Sequence, residues 1–423
     1  MNPDISMTTA VSAAEAHGIS PVSRHARIDD IDVIRGVALF GVLMMNLAES
    51  YRLPHWGIKP DVDLGRLDHV VHGVEQVLLS AKAYTLFSVL FGVGLSIFLE
   101  RADARAPRAM YLLTRRLLVL MAFGFMHAFF LFTGDILVSY ALFGLLALLL
   151  IRQRSAVLWA AIGTCLLFAT LVRSWPAVSS ALSDRIPGHY EGALRAYGTG
   201  TYLEVVRFRV GEEFEVVTRF YGVAWAWELL NMLIGVLLWR SGIFHARAPD
   251  DHRRTLRWMA FGGILIGFSY ALYETVRADF HPALPALPFG LPTLLHWSTT
   301  LLFALGYGAG LLLLLRRDAW RKRLSVFSPL GRMAFTNYLT QSLVFTSLFY
   351  GYGGSLLGRV GHAGAALMGI AFYILQGIAS AIWLRRFSFG PLEWLWRSFT
   401  YGQWQPLRRP SPLPRRWSTN PCK

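Results

Sequence analysis

Long apolar runs recur along almost the whole chain, and they limit the folds that it can adopt more than any other feature. With 54% hydrophobic and 16% charged residues over 423 positions, the composition is typical of a polytopic membrane protein. The sequence therefore predicts an all-α fold, a membrane helical bundle of about ten transmembrane helices. Ten runs are candidates to cross ~30 Å of hydrocarbon: Val33–Leu47, Tyr84–Leu99, Leu117–Phe132, Ile136–Ile151, Ala156–Val172, Tyr221–Trp239, Trp258–Val276, Leu294–Leu315, Met333–Tyr350 and Ala365–Leu384.

The positions of the basic residues predict the orientation of this bundle, because cytoplasmic loops retain Lys and Arg. With both termini in the cytoplasm, 28 of the 41 Lys and Arg fall in inner segments and 12 in outer segments, and Arg35 lies within a run. The net charge of +15 is thus explained by topology. Because the inner basic residues are scattered over six segments, no nucleic-acid partner is expected. The two cysteines lie in contexts too different for a metal or disulfide framework.

The predicted spans divide the chain into two five-helix halves, 28–172 and 221–400. A flexible cytoplasmic N-terminus, 1–27, precedes them and a basic cytoplasmic tail, 401–423, follows. Two outer segments are longer than a connection requires. Segment 48–83 contains several histidines, and segment 173–220 interleaves apolar and charged residues, as an amphipathic helix at the membrane interface does. A simple connection and a lid over a site both remain open for the second segment.

The first apolar run contains two groups that hydrocarbon cannot solvate, Arg35 and Asn46. Asp32 and Arg35 are three residues apart on one helix face, so they can pair near the inner headgroups. Alternatively, the Arg35 guanidinium grips the phosphate of a donor molecule in a bidentate way. Asn46 lies ~16 Å further along the same helix, near its outer end.

His127 is the strongest single anomaly, because it is an ionisable residue inside the third apolar run. It is either part of a functional site or a neutral core histidine bonded across the hairpin to Tyr140. Asp135 begins the fourth run and is predicted to cap that helix. Eight helical residues would separate His127 from Asp135 by ~12 Å, so no direct contact between them is expected.

Further polar residues inside the later runs are compatible with either a site or interhelical contacts. Glu228 and Asn231 share one face of the sixth run, as a polar site or a helix clamp. Other groups are predicted to have ordinary roles: interhelical bonds from Asn337, Tyr338, Gln341 and Ser342, hydration of Glu274 and His296, and an exposed ion pair between Glu393 and Arg397.

Five blocks of the chain resemble the YeiB-like family of bacterial inner-membrane proteins, which is catalogued as a domain of unknown function. They are "RIDDIDVIRGVALFGVLMMN", "LFSVLFGVGLSIF", "RRLLVLMAFGFMHAFFLFTGDILVSYALFG", "GRMAFTNYLTQS" and "FGPLEWLWRSFTYGQWQPLRR". The blocks span the chain from Arg27 to Arg409. The resemblance implies a multi-pass protein of the bacterial inner membrane, with the lipid bilayer as its immediate partner.

The first block also resembles, more distantly, the first span of the transmembrane acyltransferase superfamily. Acyltransferase-3 proteins have a histidine where this chain has Asn46, whereas the heparan-glucosaminide acetyltransferases are similar to this chain in having asparagine there. That branch places its catalytic histidine just before the second span, where this chain has His69 and His72. Acyl transfer needs an imidazole and a donor for the developing oxyanion. His127, His72 and His69 are therefore the candidate imidazoles, and Asn46 is the candidate oxyanion donor.

The sequence thus favours an acyltransferase that takes an acyl group from a cytoplasmic activated donor to an acceptor at or beyond the membrane. Arg35 and Asp32 are the expected donor-binding residues. Acyl-CoA is a candidate co-substrate, the acceptor is a small molecule, a lipid or a glycan, and no tightly bound cofactor or metal is expected. The alternative is a transporter or exporter of a small amphiphile that uses the intramembrane His, Glu and Arg. A non-catalytic membrane partner of other proteins is a third possibility.

Overall fold

The computed structural model describes residues 29–52, 65–104, 108–175, 189–244, 250–280 and 289–409. The predicted N-terminal segment 1–27 and part of the tail, 410–423, lie outside these residues, as does part of the outer segments. The described chain is helical apart from its turns and one isolated bridge between Phe387 and Arg408. Its α-helices are α1 Asp29–Asn46, α2 Arg66–Leu78, α3 Lys82–Asp103, α4 Ala109–Phe130, α5 Leu137–Leu150, α6 Ser155–Ser174, α7 His189–Thr199, α8 Tyr202–Phe208, α9 Phe214–Arg240, α10 Asp250–Phe280, α11 Leu291–Leu315, α12 Asp318–Leu324, α13 Ser328–Arg332, α14 Ala334–Phe349, α15 His362–Arg386 and α16 Pro391–Tyr401.

Each of the ten predicted runs contains a helix, which confirms the all-α membrane bundle. Within the described residues, seven segments are long and apolar enough to cross a membrane. They are Asp29–Tyr51, Arg66–Asp103, Ala109–Phe130, Ser155–Ser174, His252–Arg277, Leu291–Leu315 and His362–Arg386. The number of ten spans and the location of the termini stay predictions.

The outer segment 173–220 differs from the single interfacial helix that its pattern suggests. The described part contains α7, α8, a π-helical turn Arg209–Glu213 and the start of α9. Val205 and Phe208 of α8 are buried in the same core as Tyr51 and Tyr197. The apolar residues of α8 therefore pack against the bundle, because they gain more from protein contacts than from the interface.

Several helix pairs approach so closely that only glycine fits between them, and two of these contacts involve α1 and α3. A Cβ atom on Gly331 of α13 would collide with the Asp32 carbonyl of α1, and one on Gly36 with the Phe327 carbonyl. Gly92 of α3 meets the Met232 carbonyl of α9 in the same way. Small residues permit such backbone contact in membrane bundles. These contacts fix α1 and α3 at the centre of the molecule.

The C-terminal end of α1 continues as a π-helical turn, Leu47–Tyr51, followed by Arg52. Single π turns within helices are frequent at functional sites. Both Tyr51 and Arg52 are buried here, with 0% and 1% exposure. Two consecutive polar side chains are thus inserted into the bundle at one end of α1.

Candidate functional site

A buried chain of hydrogen bonds joins three separate parts of the sequence. The Ser342 hydroxyl lies 2.8 Å from His127 Nε2 and 2.8 Å from the Tyr51 hydroxyl. His127 Nδ1 lies 2.7 Å from Asp135 Oδ1. None of these four side chains is more than 2% exposed. Ser342, His127 and Asp135, referred to below as the triad, have the contacts of a nucleophile, a base and the carboxylate that orients it.

One tautomer of His127 matches the roles of a catalytic base. In this tautomer Nδ1–H donates to Asp135 Oδ1, and Nε2 accepts from the Ser342 O–H. The Ser342 oxygen in turn accepts from the Tyr51 hydroxyl. Asp135 Oδ2 accepts from the Val138 N–H at 2.7 Å, so this carboxylate also caps α5. In this tautomer the His127 imidazole is oriented to remove the Ser342 proton.

Two contact expectations for His127 are wrong, and the end of α4 explains both. Helix α4 stops at Phe130 and the chain turns back before α5, so the distance between His127 and Asp135 is not that along a helix. Tyr140 does not bond His127 but lies 2.8 Å from the Ser88 hydroxyl. The predicted helix-capping role of Asp135 is confirmed.

Asn46 lies beside Tyr51, which in turn contacts Ser342 of the triad. Its side chain contacts the Tyr51 hydroxyl, and it is 4% exposed. The Asn46 amide nitrogen has no hydrogen-bond partner among the described residues. It is thus a buried donor next to the hydroxyl that touches Ser342.

A cavity of about 350 Å³ opens beside the triad, between α1, α3, α4, α14 and α16. It is called the arginine cavity here, because five arginines line it: Arg35, Arg101, Arg116, Arg332 and Arg397. Arg35 Nη1 donates to Asp32 Oδ1 at 3.0 Å, which confirms their predicted pairing. The remaining lining is largely apolar and aromatic. Such a lining suits an amphiphile with a strongly anionic group.

Tyr338 separates the arginine cavity from the triad. It lines the cavity, its ring centroid is 5.0 Å from that of His127, and its hydroxyl donates to the Gly134 carbonyl at 3.1 Å. Ser342 itself is 0% exposed. The Tyr338 side chain thus contacts both the cavity and His127, while Ser342 is buried behind it.

His72 belongs to a second cluster, whose other members are buried, whereas His69 does not. His362 Nδ1 lies 2.7 Å from Glu75 Oε2, Arg52 Nη2 donates to His362 Nε2 at 2.7 Å, and the ring centroids of His72 and His362 are 4.3 Å apart. These four residues form what we call the His362 cluster. The exposed His69 only approaches the Gly65 carbonyl, at 3.3 Å.

The His362 cluster has metal-ligand types but an unfavourable charge for a metal. One ligand atom each from His72, Glu75 and His362 lie within 4.8 Å of one another. Arg52, however, already occupies His362 Nε2 with a positive charge, and Glu75 and Asp68 offset the burial that lowers the Arg52 pKa. The N-terminus of α15 adds further positive potential at His362. The Arg52 guanidinium thus places a positive charge directly beside these ligand residues.

The predicted polar stripe of α14 divides between two neighbours. Asn337 donates to the Ser380 hydroxyl of α15 at 3.1 Å, and Gln341 donates to Gln376 at 2.9 Å. Tyr338 and Ser342 face α4 and the α4–α5 turn instead. All four side chains thus bond to elements outside α14, as predicted, and the bond from Ser342 to His127 also makes it part of the triad.

Two carboxylates have partners that the sequence did not indicate. Glu393 is part-buried rather than exposed, and its oxygens accept from the Phe335 N–H at 2.8 Å, the Thr336 N–H at 3.0 Å and the Thr336 hydroxyl at 2.6 Å. It therefore caps α14 from α16. Glu274 and His296 are both partly exposed, as expected, and Glu274 also pairs with His296 Nδ1 at 2.9 Å.

Sequence reasoning missed the central role of Ser342 and all of the role of Tyr51. A serine in a polar stripe gives no signal by itself, since serines commonly bond between membrane helices. Its contact with His127 joins residues 215 positions apart. The only available signal was the grouping of Ser342 with other polar residues at helical spacing.

The comparisons with known proteins agree in placing this chain among uncharacterized relatives. The family described as "Protein of unknown function (DUF418)" matches residues 238–403. The uncharacterized protein YxaH of Bacillus subtilis (strain 168) is 31% identical over 420 residues, which cover 92% of this chain and 98% of the relative. The uncharacterized protein YeiB of Escherichia coli (strain K12) is 29% identical over 405 residues, which cover 88% of this chain and 95% of the relative. No solved structure matches this chain. This chain therefore belongs to the YeiB-like DUF418 family of membrane proteins.

Proposed function

We propose that this membrane protein is an acyltransferase that uses Ser342 as its nucleophile. The observation that carries the proposal is the buried chain from Tyr51 through Ser342 and His127 to Asp135. A serine, a neutral imidazole and an orienting carboxylate at these distances are the parts that acyl transfer requires. We place the protein in the bacterial inner membrane with both termini in the cytoplasm, on the basis of the family resemblance and the distribution of basic residues.

In the first step, His127 Nε2 takes the Ser342 proton while Ser342 Oγ attacks the carbonyl carbon of the donor thioester. The carbon–sulfur bond breaks, and the leaving thiolate takes the proton from His127. The acyl group is then an ester of Ser342. Asp135 holds His127 in the required tautomer throughout.

In the second step, an acceptor hydroxyl or amine gives its proton to His127 and attacks the ester carbonyl. The bond to Ser342 breaks, and Ser342 Oγ recovers its proton from His127. The Asn46 amide N–H is the donor for the oxyanion that develops in both steps, since it is buried, has no partner among the described residues and lies beside Tyr51.

The separation between the arginines and the triad favours a long thioester donor. Arg35, which lines the cavity, and Asn46, beside the triad, lie eleven residues apart on one helix, which is ~16 Å at the usual rise. A phosphopantetheine arm covers a comparable distance between its phosphate and its sulfur. In a phospholipid the ester carbonyls lie only a few bonds from the phosphate. Acyl-CoA therefore fits this spacing better than a lipid donor does.

A direct test is to look for the acyl-enzyme in the purified protein. The protein is incubated with isotopically labelled acetyl-CoA, and peptides are examined by mass spectrometry for an acyl group on Ser342. Ser342→Ala should abolish the adduct, and His127→Gln should lower its rate of formation by roughly 10³-fold or more.

Ser380→Ala is the matched control, because Ser380 is also a buried serine that bonds between helices but does not contact a histidine. It should form the adduct at the parental rate. If no variant or parent forms an adduct, and His127→Gln instead alters the pH dependence of uptake or efflux in vesicles, the transporter alternative would replace this proposal.

A further inference from the structure

Glu228 and Asn231 form a buried polar site that the proposed reaction does not use. They lie one turn apart on α9 and are 1% and 0% exposed. Glu228 Oε1 accepts from the Tyr84 hydroxyl, and the Ser139 hydroxyl also lies beside this carboxyl. Glu228 Oε2 and both amide atoms of Asn231 have no hydrogen-bond partner among the described residues. Three buried polar atoms inside an apolar bundle are thus available to bind a ligand.

A bare carboxylate at this position would be costly. Ionised groups inside a membrane bundle are normally paired, hydrated or neutralised, since burial without a partner costs several kcal/mol or more. The described groups acting on Glu228 are hydroxyls and the Asp135 carboxylate, which adds a repulsion. No Lys or Arg is among these described contacts. The site therefore calls for a positive charge from outside the protein.

We propose that Glu228 and Asn231 bind one monovalent cation, either a proton or Na⁺, inside the bundle. Glu228 Oε2 and the Asn231 amide oxygen supply unpartnered oxygen atoms on one helix face, which is the ligand type that small hard cations prefer. A single carboxylate balances one positive charge. A divalent ion would leave an uncompensated charge in the membrane interior.

The cation site adjoins the arginine cavity through a short series of side chains. The Tyr84 and Tyr140 ring centroids are 5.9 Å apart, and the Tyr140 hydroxyl donates to the Tyr84 carbonyl at 3.4 Å. Tyr140 lines the cavity. Neutralising Glu228 would therefore remove a negative charge from behind the cavity wall, which favours the binding of a polyanion.

Other titratable groups surround the site on the helices that pack against α9. Tyr84 comes from α3, and Tyr140 with Asp135 comes from α5 and its preceding turn. Helix α6 carries Cys165, and α11 carries His296 next to Trp297, whose ring contacts Trp227 of α9 at 4.6 Å between centroids. The test must therefore assign the effect to Glu228 itself.

A hydrophobic carbodiimide provides such an assignment, because it modifies carboxyl groups that are protonated within apolar surroundings. The purified full-length protein is treated with dicyclohexylcarbodiimide from pH 5 to pH 9, and modified peptides are identified by mass spectrometry. We expect an adduct on Glu228 that is lost in Glu228→Gln and kept in Glu274→Gln, a partly exposed carboxylate in another spanning helix. Asn231→Leu should shift the pH dependence of the adduct.

Replacing choline chloride by NaCl at constant ionic strength distinguishes the two cations. If Na⁺ is the occupant, NaCl protects Glu228 from modification and raises the Tm of the parent but not of Glu228→Gln. If a proton is the occupant, the adduct depends on pH alone. The proposal is overturned if Glu228 is unmodified at every pH and if Na⁺ and pH change the Tm of parent and Glu228→Gln equally. These readouts require no acyl transfer, so they are independent of the proposed function.

Discussion

At the scale of single residues, Asp135 accepts hydrogen bonds from two different partners, and a substitution affects these two bonds differently. It accepts from His127 Nδ1 with one oxygen and caps α5 with the other. An asparagine at this position has only one acceptor oxygen. If that oxygen accepts from the α5 backbone, the amide N–H faces the imidazole; if it accepts from the imidazole, the N–H faces the backbone. A change at this position can therefore separate catalysis from stability.

Asp135→Asn should lower the rate of acyl transfer about 10²–10⁴-fold, because the imidazole is no longer held in the productive tautomer. The unfolding free energy should fall by less than about 1 kcal/mol, since asparagine is also a good helix cap. Initial rates with labelled acetyl-CoA and the Tm measure the two effects. Asp103→Asn, at an exposed aspartate paired with Arg152, is the control. A parental rate in Asp135→Asn would remove this carboxylate from the mechanism.

Arg35 is expected to bind the donor rather than only to pair at the membrane surface. Its side chain is 28% exposed, pairs with Asp32 and lines the arginine cavity. Arg35→Lys should raise the KM for acyl-CoA about tenfold with little change in kcat, because an ammonium cannot form the bidentate contact with phosphate. Arg316→Lys, a basic residue outside the cavity lining, should leave KM unchanged. If Arg35→Lys equals the parent and only Arg35→Ala fails to insert, Arg35 serves topology alone.

Sequence analysis could identify those site residues whose burial in a membrane costs much free energy. His127 and Glu228 were recognisable because an ionisable group inside an apolar run is unfavourable unless it has a partner or a function. Ser342 and Tyr51 were not recognisable, since burying a hydroxyl costs little free energy and the role of each residue depends on contacts between distant segments. The pairing of His362 with Glu75 likewise joins residues 287 positions apart.

At the scale of helices, the apolar runs predicted the elements because each run must bury or shield its own backbone hydrogen bonds. Their packing partners were not predictable from these runs. The contact of α1 with α13 depends on two glycines whose importance appears only when the backbones meet. The short distance between His127 and Asp135 depends on the turn after Phe130, which periodicity does not describe.

Gly331→Ala tests the contact between α1 and α13. The new Cβ would collide with the Asp32 carbonyl, so the helices must separate at a cost of about 1–3 kcal/mol. A clear decrease in Tm is expected in detergent solution. Gly163→Ala on α6 should have little effect, because no described atom lies within 4 Å of the position that its new Cβ would take. Equal Tm values for the two variants would contradict this account of the α1–α13 contact.

Glu393→Gln tests how α16 holds the first turn of α14. Burial raises the pKa of Glu393, and the hydrogen bonds from Thr336 and Phe335 only partly oppose it. Because the folded state then holds the proton more tightly than the unfolded state, the contribution of Glu393 is fully present below its ordinary pKa and is lost as pH rises through the raised value. The Tm of the parent should therefore fall relative to Glu393→Gln as pH increases from about 4 upward. A constant difference across this range would show that Glu393 does not titrate there.

At the scale of the whole molecule, the polar groups are distributed asymmetrically along the bundle. The arginine cavity lies toward the N-terminal end of α1 and the C-terminal end of α3. The His362 cluster lies toward the opposite end of α1, next to Arg52. The triad contacts this end of α1 at Tyr51, which directly precedes Arg52 of the His362 cluster. An anionic donor and an acceptor could thus approach Ser342 from different ends.

This arrangement has the predicted consequence that the arginine cavity opens to the cytoplasm. Reporters fused after Arg101, Arg247 and Arg321 should be cytoplasmic, because these sites lie in three of the six inner segments, which together hold 28 basic residues against 12 in the outer segments. Reporters within residues 180–200 should lie outside. Arg101 itself lines the cavity, so its location also fixes the side of the cavity mouth.

Paired alkaline phosphatase and fluorescent protein fusions at these four sites measure the topology, since each reporter is active on only one side of the membrane. A reversed result at two or more sites would show that the bundle has the opposite orientation in the membrane. The arginines would then face outward, and a donor present only in the cytoplasm could not reach them. The acyl-CoA proposal would fail together with the topology, even if Ser342, His127 and Asp135 kept their contacts.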